Sequence, residues 1–402
     1  MERNGFRGFH AVRTIRCWAH GIVLGLTALA LTACMGLGGQ QPSLETAGSS
    51  DTIGEGDVTI ALLLPTSASG STGSIAQGMR NAAEMALSEM PSADIRLLPF
   101  DTGGSAQGAQ RAATRAVAEE TDLIIGPLFA REVQAVGQVA RNANVPVIAF
   151  STDANVAQPG VYLLSFMPEA DVSRVVNYAA GNGRRAFSAL LPRNSYGAVI
   201  EGAFQQAVSE RGGRIVSIER YGTDPEEMQT AVGRIAAVAG GSQPQVDALL
   251  LPDTPSVVRA LGPMLSATEV DPQRVQVLGS GQWNDETAWN IAELEGAWFA
   301  GPDPQGWESF QSRYADSYGA PPPRNATLAY DAVSLAAALS GLRGSEAFTQ
   351  ETLTNRDGFA GIDGVFRFRS DGTSERGLAI LEIRDGAAEI RDPAPRRLGA
   401  GT

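Results

Sequence analysis

Lysine does not occur in this 402-residue chain, and histidine occurs only as His10 and His20, so arginine carries all 31 positive charges against 44 acids. Cysteine is almost as scarce: Cys17 and Cys34 are the only two. Beyond residue 34 there is thus no imidazole base, no amine for a Schiff base or a phosphate grip, no thiol and no Cys/His metal cluster. No intramolecular disulfide can form there either. No apolar run after residue 34 approaches the roughly 20 residues a membrane-spanning helix needs. A carboxylate pair of the glycosidase kind needs neither His nor Lys, but no pattern marks one. Catalytic residues, metal ligands and cofactors are accordingly not expected, and the chain reads as one that binds rather than transforms.

What is present begins with an export signature. Arg3, Arg7, Arg13 and Arg16 precede an apolar run from Gly21 to Leu31, about the length of a signal-peptide core. The run ends on Leu31-Thr32-Ala33-Cys34, which resembles a bacterial lipobox. On that reading residues 1–33 are a lipoprotein signal peptide and Cys34 carries the lipid. A multiply acylated N-terminus holds far better than a single chain. Met35 follows, not the Asp that marks inner-membrane retention, so the expected place is the outer membrane, facing the periplasm, if the cell has one. Residues 34–56 are rich in Gly, Ser, Gln, Thr and Pro and read as a flexible tether. Removal of 1–33 leaves 27 arginines and 43 acids, a net charge of about −16. That balance excludes nucleic acid as a partner, since phosphate neutralisation needs a basic footprint.

From Asp57 the chain alternates short apolar runs with amphipathic helix patterns. Val58–Leu64, Ile95–Phe100, Leu123–Ile125 and Val147–Phe150 read as strands, separated by helices near 74–90, 106–118 and 131–141. Strands so uniformly apolar are buried on both faces, as in a parallel sheet flanked by helices. The alternation implies right-handed βαβ units and a doubly wound sheet. A second α/β unit follows, with strands at Ala186–Leu191, Ile215–Glu219, Val246–Leu251 and Val275–Leu278. Tyr162–Phe166 and a helix at 170–180 make one crossing between the halves. Later come a strand at Ala297–Ala300, helices at 307–318 and 325–342, and strands Gly364–Phe368 and Leu378–Arg384 joined by a hairpin-type turn at Ser370-Asp371-Gly372. The predicted class is α/β: two doubly wound parallel-sheet lobes joined by a hinge of several crossings. Lobe 1 is expected to comprise 57–165 plus 297–345, lobe 2 166–296 plus 346–390, and 391–402 a disordered tail.

The order of short pieces along the body resembles the periplasmic Leu/Ile/Val-binding protein family, with its type I solute-binding fold. They include Ile60-Ala61-Leu62-Leu63-Leu64-Pro65, Gln77-Gly78, Asp101-Thr102, Ile124-Ile125-Gly126-Pro127 and Asn144-Val145-Pro146-Val147-Ile148. Ser195-Tyr196-Gly197, Ala329-Tyr330-Asp331-Ala332 and the Gly361–Arg369 stretch before Asp371-Gly372 complete the order. Within that family, Gly126-Pro127-Leu128 and the run Ser165-Phe166-Met167-Pro168-Glu169-Ala170-Asp171 are similar to penicillin-binding protein activators, which are outer-membrane lipoproteins.

Ligands of open parallel sheets sit outside the carboxyl ends of the strands, where loops meet helix starts. That selects seven loops. Ser71 lies in the hydroxyl-rich loop 67–72, which equally suits a capped turn. Asp101-Thr102 follows the second strand and suits a structural turn as well. Arg131 follows the third strand and could grip a carboxylate, or be a solvated helix-start arginine. Ser151 and Thr152 retain the hydroxyl pair the family uses, with helix capping as the rival role. Tyr196 matches the family position whose ring closes over the ligand, or packs between lobes. Asp253 could meet a ligand amine, and Gln282 follows the strand ending at Leu278. What the resemblance implies is a non-enzymatic solute-binding lipoprotein, holding an amino acid or amide-like molecule for an ABC permease. The alternative it leaves open is an activator-like regulator partnered with a peptidoglycan synthase.

Overall fold

The computed structural model describes residues 51–343 and 346–399. Cys34, the lipobox and residues 35–50 of the tether lie outside the described residues. The first lobe is built from Val58–Leu64 (β1), Ser71–Ser88 (α1), Ile95–Asp101 (β2), Ala106–Ala118 (α2), Leu123–Ile125 (β3), Ala130–Ala143 (α3), Val147–Ala149 (β4) and Val161–Leu163 (β5). Its strands form one parallel sheet in the order β2-β1-β3-β4-β5.

The second lobe takes Pro168–Gly181 (α4), Ala186–Pro192 (β6), Ser195–Glu210 (α5), Arg214–Tyr221 (β7), Pro225–Ala239 (α6), Ala248–Leu250 (β8), Pro255–Ser266 (α7), Gln276–Gly279 (β9), Glu286–Trp289 (α8) and Trp298–Gly301 (β10). The chain then passes through Pro304–Tyr318 (α9), Ala326–Arg343 (α10), Gln350–Leu353 (α11), Phe366–Phe368 (β11) and Ser374–Arg376 (β12) before closing with Ala379–Arg384 (β13) and Ala387–Asp392 (β14). The second sheet has the order β14-β13-β10-β9-β8-β6-β7. Its five strands β6 to β10 run parallel, and β13 pairs antiparallel with both β10 and β14.

The sequence of β1 shows why each sheet has two helical layers. Ile60, Leu62 and Leu64 face a core shared with α1 and α10, whereas Ala61 and Leu63 face one shared with α2 and α3. Each large side chain so buried contributes about 1.5–3 kcal/mol, and the period-two alternation requires apolar residues on both faces. The second sheet is covered likewise, by α6 and α7 on one face and α4 and α5 on the other. Side-chain caps fix several helix starts at the cleft ends of the sheets. Asn194 accepts the Gly197 N–H at 2.8 Å ahead of α5, and Ser105 accepts that of Gly108 at 3.1 Å ahead of α2. Gly126, after β3, has φ +91°, and a Cβ there would stand 2.1 Å from the Leu63 carbonyl oxygen. Only glycine permits that close turn. Among the described residues no helix is long and apolar enough to cross a membrane.

The late chain is divided between the lobes differently from the expected 297–345 and 346–390 segments. Trp298–Gly301 pairs with β9 and β13 and so lies in the second sheet, because its apolar run fills the edge that β9 leaves open. Leu353, Phe366 and Phe368 instead pack in the first lobe's core with α1 and α10. The turn at Ser370-Asp371-Gly372 is present, but it joins β11 to β12; Leu378–Arg384 crosses to the other sheet. Nor is 391–402 uniformly a loose tail. Arg391 and Asp392 end β14, and Leu398 is buried. Among the described residues the chain crosses between lobes at 164–167, 302–303 and 377–378.

Candidate functional site

In both sheets the strand order reverses beside the first strand of the lobe, so the loops at the carboxyl ends splay apart there and leave a crevice. A cleft of about 570 Å³ lies at these ends, a size suited to a small-molecule ligand. The first lobe supplies Thr72 and Ile75 from α1, the 128–130 loop after β3 and the 150–153 loop after β4. The second lobe supplies Tyr196, and Gly281, Gln282 and Asn284 after β9. The crossings add Ser165, Phe166 and Asp171 at one point and Pro302 at another, and Arg324 and Asn325 precede α10.

Of the residues expected from sequence, Ser151, Thr152, Tyr196 and Gln282 line this cleft. Ser151 is buried, and its Oγ accepts the Asp153 N–H at 3.1 Å, leaving its hydroxyl hydrogen free to donate. Thr152 is exposed beside it. The Tyr196 hydroxyl donates to the Pro252 carbonyl at 2.8 Å and lies 3.0 Å from Ser280 Oγ. Its polar end is therefore tied into its own lobe, and what remains for the cleft is the ring. Burial pushes this phenol above its ordinary range, so it stays a donor.

Ser71, Arg131 and Asp253 do not line the cleft. Ser71 is exposed at the first position of α1, and it is the next residue, Thr72, that reaches the wall. Arg131 is exposed because one residue is about 100° of helix turn and its neighbour Glu132 takes the inward position, accepting the buried Thr102 hydroxyl at 2.9 Å. Burial raises the Glu132 carboxyl, against that hydrogen bond. Asp253 is buried within the second lobe. Its carboxylate accepts the Tyr221 hydroxyl and the Thr254 N–H, both at 2.6 Å. Asp101 is likewise a turn residue: it accepts the Ser67 and Gly103 N–H groups at 3.0 and 3.1 Å.

Two charged residues of the wall were not anticipated. Arg324 holds Asp363 through both terminal nitrogens and lies over the rings of Phe166 and Trp307, 4.5 and 4.7 Å from their centroids. Asp171, on the first turn of α4, accepts the Gly281 N–H at 2.9 Å. A Cβ on Gly281 would stand 2.6 Å from the same oxygen, so a side chain there would displace the carboxylate. Burial pushes Asp171 up to about 7, against the Gly281 hydrogen bond and with help from Glu169. The sequence holds a weak signal for it: an acid just after Pro168, where a helix start is favoured. Nothing in the sequence marks Arg324. Among the described residues no group of three His, Cys, Asp or Glu could hold a metal ion.

The cleft can therefore enclose a small polar molecule between hydroxyls of one lobe, aromatic rings and a buried acid. Comparison with known proteins finds the same fold in solved structures. A structure from Rhodospirillum rubrum, described as a branched-chain amino acid ABC transporter, is similar with a TM-score of 0.73 at 18% identity, over 83% of this chain and 99% of that one. The substrate-binding protein LivJ of a Streptococcus pneumoniae branched-chain amino acid transporter, in complex with isoleucine, gives 0.58 at 19%, over 84% and 99%. An uncharacterized protein of Rickettsia prowazekii is 24% identical over 180 residues, 45% of this chain and 47% of its own length. The chain thus spans about half the length of the curated relative it matches. The family model described as "Periplasmic binding protein" matches residues 57–388, and the chain belongs to that family.

Proposed function

We propose that this protein is a non-enzymatic, extracytoplasmic solute-binding lipoprotein that holds an amino acid or amide-like molecule and presents it to an ABC importer. The observation that carries the reading is the cleft itself. Its wall is drawn from the carboxyl ends of both sheets and from the crossings, so a ligand there touches both lobes and the hinge. Such a ligand favours whichever lobe arrangement contacts it most fully, which is how binding couples to closure. Ser151 and Thr152 offer hydroxyls to its polar end, and Tyr196 offers a ring face to its body.

The test is a melting screen of the purified protein against amino acids, their amides and short peptides. A true ligand at a hundredfold excess over Kd adds about 2.7 kcal/mol, a plain rise in melting temperature. The lipid anchor is tested separately, by fractionating cells that express Cys34→Ala, which should release the protein from membranes. One observation favours the other reading, a regulator bound to a peptidoglycan synthase. The loop after β3 offers the cleft Leu128 and the 40% exposed Phe129, with no hydroxyl. A screen without any shift, together with capture of a synthase on the immobilised protein, would establish that reading instead.

A further inference from the structure

Helices α2 and α3 cover the same face of the first sheet, and their outward surface differs in charge from the other outer helices. Its charged side chains are Arg111, Arg115, Arg131 and Arg141, all exposed. The one acid on either helix, Glu132, is 1% exposed and turned inward to Thr102. Between the arginines the exposed positions are neutral: Gln107, Gln110, Thr114, Gln134 and Gln138. Elsewhere the outer helices expose acids, such as Glu210 on α5, Glu226 and Glu227 on α6, and Glu308 and Asp316 on α9. Arg174, Arg193, Arg220, Arg234 and Arg274 of the second lobe are all ion-paired. None of the four on α2 and α3 is, among the described residues. Arg115 rests 5.4 Å from the Phe100 ring centroid and Arg141 holds the Gln158 amide oxygen, contacts that leave both charges whole. A chain of net charge −13 is repelled by an anionic surface; on this face the sign reverses.

The tether joins the body beside the same face. Ile53 and Leu97 exchange both backbone hydrogen bonds, at 3.0 and 2.8 Å, so the end of the expected tether runs antiparallel along the free edge of β2. That direction brings Asp51 to the carboxyl end of β2, where it pairs with Arg80 and lines a small cavity with Phe100 and Asp101. Phe100 is the ring under Arg115. Asp101, accepting from Ser67 and Gly103, also edges a groove of about 850 Å³ lined by Gln110, Arg111, Thr114 and Arg115. Glu119 and Glu120 follow α2 at its other end. Cys34 precedes Asp51 by 17 positions, a span of at most about 60 Å. Such a reach keeps the body near a bilayer without fixing which side lies down. Charge acting within a Debye length, about 8 Å at physiological salt, then selects the side.

Resting on the lipoprotein reading above, we propose that the α2–α3 face is a membrane-docking surface, on which Arg111, Arg115, Arg131 and Arg141 meet anionic lipid headgroups and lay the anchored protein down on its first lobe. Four guanidinium groups spread over two adjacent helices suit a plane of phosphates, which the fork of each matches.

The experiment uses the full chain, expressed in bacteria, purified with its lipid and reconstituted on phosphatidylcholine vesicles with or without phosphatidylglycerol. A dye is placed at Gln134→Cys on the face or at Ser209→Cys on α5 of the second lobe, both exposed positions. Energy transfer to headgroup-labelled lipid reports which side lies down. On anionic vesicles transfer from position 134 should exceed that from 209 by about twofold or more. The difference should vanish on neutral vesicles, and also at about 0.5 M salt, where the screening length falls to about 4 Å. Combining Arg111→Gln, Arg115→Gln, Arg131→Gln and Arg141→Gln should abolish it as well. The lipid and salt comparisons keep the four arginines and stand even if that variant fails to fold. Equal transfer from the two positions on anionic vesicles, or a preference for 134 that survives neutral lipid and high salt, would overturn the assignment. Flotation separates it from the anchor. A protein that floats with both vesicles but has no charge-dependent orientation keeps the anchor and loses the surface. One that floats only with anionic vesicles has the surface without the anchor, and if it floats with neither, both readings fall.

Discussion

Arg324 and Asp363 form a two-pronged ion pair, with NH2 2.5 Å from Oδ1 and NH1 3.1 Å from Oδ2, and Asp363 is wholly buried. The Thr327 hydroxyl donates to the same carboxylate at 2.6 Å. The pair ties the start of α10 to the loop before β11, beside the third crossing between lobes. It also supports the cleft, since Arg324 stacks on Phe166 in the wall. Removing the arginine would leave a buried carboxylate with one hydroxyl donor. Arg324→Ala should therefore destabilise the protein by about 3 kcal/mol, the lower end for a broken buried pair because the guanidinium is partly exposed. Urea unfolding monitored by tryptophan fluorescence measures it. A loss under about 1 kcal/mol would show the pair to behave like a surface one.

Tyr196 separates two kinds of contribution. Its hydroxyl serves the second lobe, through Pro252 and Ser280, while its ring faces the cleft. Tyr196→Phe should cost about 1 kcal/mol of stability and leave solute affinity nearly unchanged. Tyr196→Ala should weaken binding by tenfold or more, since an aromatic wall contributes on the order of 1–2 kcal/mol. Equal affinity losses in the two variants would mean that the hydroxyl, not the ring, meets the solute.

Much of the fold was legible because its signals are local. The runs at β1 and β6 are apolar at every position but one, Thr59 and Ser188, which only a sheet covered on both faces requires. Ser151 and Thr152 were legible for the same reason: they follow a strand directly and stay at its carboxyl end. What was not legible depends on distance or rotation. Asp171 meets Gly281 across 110 positions, and Arg324 meets Asp363 across 39. No local pattern encodes either meeting. Arg131 points outward because Glu132 occupies the inward face of α3. β14 went unrecognised because its sequence, AAEIRD, is mostly exposed and carries little apolar patterning, and β12 because its three residues are all polar.

That rotation of α3 makes a direct comparison possible. Arg131→Ala should leave solute affinity and stability within experimental error, since the side chain is exposed and outside the cleft wall. Ser151→Ala should weaken binding about fivefold to tenfold, the loss of one hydrogen bond to a polar ligand group. Titration calorimetry on the two variants side by side distinguishes them. A larger effect at Arg131 than at Ser151 would move the anion-binding end of the site to the start of α3.

Asp171 also makes a prediction about the unliganded protein. Its folded-state carboxyl sits at about 7 because burial outweighs the Gly281 hydrogen bond, whereas in the unfolded chain it titrates in the ordinary carboxylate range, near 3.9. Between these values the folded state holds a proton that the unfolded state has lost. This group's contribution to stability is therefore fully present below about pH 4, is lost as pH rises towards 7, and is constant above. Asp171→Asn removes the titration and retains an acceptor for Gly281. The variant should thus gain on the parent as pH rises from about 5 to about 8, and be the more stable of the two at the upper end. Urea midpoints of both proteins across that range, without solute, measure the difference. A constant gap would mean that the carboxylate is already ionised at pH 5.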